Sequence, residues 1–194
     1  MKKIIKKLAN PLLIIAFSIV LRLVPHLPNF APITAMALFG GVYLNKKYAL
    51  LIPFLTMLVS DYLLLYINPF SSQPFHFNHV FPIWSLWYDN TIIAVYGSFL
   101  ISGLIGLWLK NHKTFKNVVL ATLFSSVQFF LVTNAAVWMA GAYDRSILGL
   151  WESYIAGIPF FRGTLLGDLF YTGIFFGSYE WIIHLAKSPK LSIT

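Results

Sequence analysis

The chain has 194 residues, of which 58% are hydrophobic, 18% aromatic and only 10% charged, and its mean hydropathy is +0.75. Soluble domains carry about 25% charged residues, so this composition excludes a soluble domain and describes an integral membrane protein. The formal charge of +8 does not point to nucleic acid, because the Lys and Arg residues lie beside apolar stretches, where they set topology and meet anionic lipid.

Those basic residues fall in four clusters, Lys2 to Lys7, Lys46/Lys47, Lys110 to Lys116 and Lys187/Lys190, leaving only Arg22, Arg145 and Arg162 apart. Loops rich in Lys and Arg are cytoplasmic, so the alternation predicts six spans with both termini inside. The N-terminal MKKIIKKLANPLLIIAFSIV resembles a signal peptide but lacks a small-x-small cleavage site, and reads as a retained first helix over residues 11–24 ended by Pro25 and Pro28. A short second span follows over 32–44, too short to cross an apolar layer about 30 Å thick unless tilted or flanked by a re-entrant stretch. Asn45, Lys46 and Lys47 form a tight cytoplasmic turn into a third helix over 48–67, which contains Pro53 and Asp61. Residues 68–88 have no Lys or Arg and many Phe, Trp and Tyr, the mark of an external interfacial loop. Asp89 opens a fourth helix to Leu109, and a fifth covers 118–139. A second external loop is expected over 140–162, then a sixth helix over 163–185. The fold class is an all-α six-helix membrane bundle in a single domain, with no separate soluble part.

Polar groups inside spans are expensive and face the bundle interior or a wet cavity. On this topology Arg22 and His26 end the first helix, Asp61 lies in the outer third of the third, Asn134 and Trp138 in the outer half of the fifth, and Arg162 and Asp168 at the outer start of the sixth. Convergence of these groups beneath two aromatic loops predicts a small-solute site open to the outside, lined by Arg22, Asp61, Asn134, Trp138, Arg162 and Asp168. The competing role is structural: Arg22 paired with Asp61 or Asp168 would fix helix packing, Asn134 would bond between helices, and Trp138 would anchor at the interface. Glu180 and His184, four apart, read as a local pair. Ala31 with Ala35 and Ala37 with Gly41 have helix-contact spacing, for packing within the bundle or against a partner. Cysteine is absent, and His76 with His79, three apart without a carboxylate partner, makes a poor metal set. No metal, no cofactor and no catalytic residue are expected.

The blocks PNFAPITAMALFGGVYLNKKYALLIPFLTMLVSD, FFLVTNAAVW and GIPFFRGTLLGDLFY resemble an uncharacterised family of bacterial membrane proteins labelled as transport proteins. More distantly, the outward first helix, short glycine-bearing second span, tight basic turn and Asp-bearing third helix look like the S-components of energy-coupling-factor vitamin transporters. That likeness implies capture of a vitamin-like solute at the bacterial inner membrane, with an energising membrane subunit and ATPases as partners. It also implies pocket roles for Asp61, Asn134, Trp138, Arg162 and Asp168. The turn GGVYLNKKYA departs from the Gly-Pro pattern of S-components. The chain has no Walker motif, so ATP hydrolysis would come from a partner. Aspartates coupled to protons are another route to transport. The alternatives are an enzyme acting on a lipid or isoprenoid, disfavoured by scattered single aspartates, and a structural or assembly subunit.

Overall fold

The computed structural model of the chain describes residues 11–24, 27, 29–67 and 91–187. It contains six helices, α1 Pro11–Leu23, α2 Ile33–Tyr43, α3 Lys46–Leu64, α4 Ile92–Leu109, α5 Phe115–Met139 and α6 Ile147–Lys187, and no strand among the described residues. Three of them, α3, α4 and α5, are long and apolar enough to cross a membrane, whereas α2 is an apolar helix of 11 residues. Large apolar side chains such as Leu104, Leu120, Phe124, Leu131 and Phe170 are exposed on the outside of the bundle, as expected where the surrounding medium is lipid rather than water.

The shortest helix forms the core. Every residue of α2 from Ile33 to Val42 is buried, and α2 packs against α3, α4 and α6 at once. Its length of about 16 Å reaches only part of the way through a bilayer, consistent with the shortness of the apolar run. Small residues allow this central position. A Cβ placed on Gly41 would lie 2.5 Å from Gly106 Cα on α4, and one on Gly106 would lie 2.6 Å from Leu38 O, so the two backbones touch. The Ala37/Gly41 spacing therefore serves packing within the bundle, and its counterpart is Gly106.

Connections at one end are tight. The Leu44 N–H caps α2 on Gly40 O at 2.9 Å, and Asn45, in extended conformation, opens α3 with its carbonyl accepting from Tyr48 and Ala49. Thr114 caps α5 by accepting from Asn117 N at 3.1 Å, worth about 1 kcal/mol. Lys110 Nζ donates to Leu44 O at 3.4 Å, so the two central basic clusters share this end of the bundle, as their alternation along the sequence predicts.

The expected external loop over 140–162 is corrected: only residues 140–146 are non-helical, and α6 runs unbroken for 41 residues with Pro159 inside it. Ser146 starts it, its Oγ accepting from Gly149 N at 3.1 Å. Gly149, Ser153 and Gly157, spaced four apart, then form a buried stripe that packs on the Asp144 backbone at its start and on α5 at Ser153 and Gly157. Ser153 Oγ donates to Asn134 O at 2.8 Å, and a Cβ on Gly157 would meet Asn134 Cγ at 2.8 Å. The charges of Glu152 and Arg162, which suggest a loop when read in sequence, sit on the exposed side of this helix. At about 62 Å, α6 is twice the thickness of a hydrocarbon layer. The first expected loop, with His76 and His79, and also His26 and Asp89, lie outside the described residues.

Candidate functional site

Two polar clusters occupy the end of the bundle where α1 and α3 stop and α2 and α4 begin. In the first, Arg22 of α1 pairs with Asp61 of α3 at 2.7 Å and also donates to Ser60. The other carboxylate oxygen of Asp61 accepts from the Tyr96 hydroxyl of α4 at 2.9 Å. Both ionic side chains are largely covered, 15% and 21% exposed. Removing one partner from such a pair leaves an uncompensated charge in a low-dielectric medium, so the pair constrains three helices.

The second cluster surrounds Asp168 of α6, which is 2% exposed. Its Oδ2 accepts from Ser126 Oγ of α5 at 2.7 Å, and the Thr34 side chain of α2 bonds to the same carboxylate. One turn further along, Thr122 Oγ1 donates to Thr172 Oγ1 at 3.3 Å, continuing a hydroxyl seam between α5 and α6. Asp168 and Thr172, four apart, share the α6 face that meets Thr122 and Ser126, also four apart, on α5.

Between these clusters is a hollow of about 220 Å³ whose walls include Arg22, Asn29, Thr34, Phe99, Phe129 and Asp168. A second hollow of about 150 Å³ shares Asn29, Phe129 and Thr164 with it and is bounded by Asn134 and Gly157. Together they fall within the roughly 300–1,000 Å³ of small-molecule pockets. Asn29, in the α1–α2 connector, borders both. Its φ of 59° is left-handed, a conformation that asparagine tolerates better than most residues. This lays the connector on α6: a Cβ on Gly167 would lie 2.9 Å from Phe30 Cα. The absence of a side chain at Gly167 thus lets the connector close down beside Asp168.

Of the six residues singled out from sequence, the structure brings Arg22, Asn134 and Asp168 to these adjoining hollows, with Asp61 behind Arg22. Trp138 and Arg162 do not border them. Trp138 Nε1 donates to Asp144 O at 2.9 Å and so ties α5 to the turn before α6, and Arg162 is exposed on α6. Sequence reasoning missed Thr34, Tyr96, Ser126 and Thr164. The paired Ser125 and Ser126 in an apolar run was the available signal, since a hydroxyl at mid-helix depth needs an acceptor. Glu180 receives Lys113 Nζ and Tyr43 Oη from other helices, at the opposite end of the bundle. Among the described residues no three His, Asp or Glu side chains group as metal ligands.

The geometry defines a helical protein suited to a membrane, with an ion-paired and hydroxyl-lined hollow at one end. The chain belongs to a family of unknown function (DUF6580), whose model matches residues 2–191. Neither a curated protein nor a solved structure matches it.

Proposed function

We propose that this chain is a solute-binding membrane protein that captures a small molecule from the extracytoplasmic side of the bacterial inner membrane. Its helices would make six crossings with both termini in the cytoplasm, in the manner of a vitamin-transporter S-component, and an energising membrane subunit with ATPases would complete the transport cycle. The supporting observation is the hollow shared by all six helices α1 to α6, to which Arg22, Thr34 and Asp168 contribute polar groups among aromatic walls. Binding is preferred over turnover because, among the described residues, Arg22, Thr34, Asn134 and Asp168 are already engaged by protein partners. Outward orientation of the hollow is supported by the basic turns lying at the other end of the bundle.

The test is a thermal-shift screen of the purified protein in nanodiscs against a library of water-soluble metabolites, run in parallel on Thr164→Phe, which fills the shared wall of the two hollows. At least one solute is expected to stabilise the wild type and not the variant. No hit in the wild type, or hits equal in both, would sink the proposal. Orientation is checked separately by single cysteines, for which the cysteine-free chain gives no background. Asn29→Cys should react with an impermeant maleimide in whole cells, and Lys113→Cys only after lysis.

A further inference from the structure

We propose that the captured solute carries a positive charge, which Asp168 receives, with the rings of Phe99 and Phe129 beside it; this rests on the solute-capture reading above. The ion pairs among the described residues are Arg22 with Asp61 and Lys113 with Glu180. The charge of Arg22, the one cationic residue among the described residues bordering the hollow, is therefore already matched by Asp61 at 2.7 Å. Asp168 is left as a carboxylate that borders the hollow, is 2% exposed, and has as partners two hydroxyls, Ser126 and Thr34, and no cation.

A buried carboxylate with hydroxyl donors alone is poorly compensated, and a carboxylate at membrane depth calls for a cationic partner. Among the described residues none donates a cation to Asp168, and a cationic ligand would supply that charge. The hollow supplies the other half of a cation site. Phe99 and Phe129 border it as a tilted pair with centroids 5.0 Å apart, and aromatic faces attract a cation within about 6 Å. An anionic solute would instead face Asp168 across the same space. The limited volume suits one ring with a short amine-bearing arm, the ring extending past Phe129 toward Asn134.

The probes are three solutes of one size and different charge: phenethylamine, protonated at pH 7, phenethyl alcohol and phenylacetate. Each is titrated into the nanodisc-embedded protein by calorimetry, with melting followed in parallel. Phenethylamine is expected to bind and raise the Tm, phenethyl alcohol to bind far more weakly, and phenylacetate not at all. Asp168→Asn should weaken the amine by roughly thirtyfold or more, as when one partner of a buried charge pair is removed, while Glu180→Gln at the opposite end leaves it unchanged. If Asp168→Asn fails to fold, the ranking of the three probes on the wild type decides alone. The alcohol or phenylacetate binding as tightly as the amine would overturn the proposal, as would full amine affinity in Asp168→Asn. Silence of all three probes would also overturn it. In each of these cases a metabolite hit that Thr164→Phe abolishes would leave solute capture standing, whereas loss of that hit as well would remove both.

Discussion

The roomier hollow and the polar one are different places. A groove of about 480 Å³ runs between α5 and α6 at the Lys113 end, bordered by Val118, Leu169, Gly173, Phe176 and Gly177 and closed at its tip by Lys113 and Glu180. The hollow at the Asn29 end has less than half that volume. Size favours the groove, and chemistry favours the hollow. An apolar groove on the side of a membrane bundle is filled by lipid chains at no loss, because lipid tails are as apolar as the groove's walls. A carboxylate and an ion pair at that depth are expensive and are retained only with defined partners. In this setting polarity, more than volume, marks a candidate site.

That contrast makes the two ends unequal in their tolerance of substitution, and the inequality can be broken by measurement. The largest effect is expected for Asp61→Asn, which leaves Arg22 without its counter-charge among three helices. It should destabilise the protein by about 3 kcal/mol, read as a large fall in Tm in detergent, and replacing both partners by apolar residues in Arg22→Met/Asp61→Leu should recover much of the loss. A double variant as unstable as the single one would show that the pair is more than an internally compensated unit. Next comes Ser126→Ala, which removes a donor from a buried carboxylate and should destabilise by about 1–3 kcal/mol. At the groove end, Gly177→Ala should be neutral or stabilise by up to about 1 kcal/mol, since no atom lies within 4 Å of its added Cβ and alanine is the better helix former. The smallest effect is expected for Lys113→Ala. Its partner Glu180 is 48% exposed, and exposed pairs contribute about 0–1 kcal/mol. A groove variant more damaging than Ser126→Ala would reverse the ranking of the two ends.

The helices were largely legible because apolar runs bounded by Lys, Pro and Asn state their own limits, and α2 and α5 lie close to where periodicity and charge place them. The sixth helix was misjudged at its start. The charges of Glu152 and Arg162 look like those of a loop, but the Gly149, Ser153 and Gly157 stripe four apart was the competing signal and it prevailed. Within the site, the ionisable residues were visible because charge in an apolar chain is conspicuous. The hydroxyls that hold them were not: Thr34 and Ser126 are unremarkable in sequence, and only the meeting of α2, α5 and α6 gives them a role. Trp138 has a tie that its depth alone does not disclose, its indole N–H donating to the Asp144 carbonyl in the turn before α6. The pairing of Arg22 was open between two aspartates, and it is distance across the fold, not spacing along the chain, that selects Asp61.

Asp168 and Glu180 belong to one uninterrupted α6 and are 12 residues apart, a span of about 18 Å. Pro159, the residue in α6 most apt to let it bend, precedes both of them. The stretch between them has no proline but does include Gly173 and the Gly177–Ser178 pair, so a displacement of the first carboxylate would be passed on in part to the second and to its partners Lys113 and Tyr43. Were a guest to enter one mouth of the bundle as proposed, part of that shift would be felt at the far rim through α6 alone.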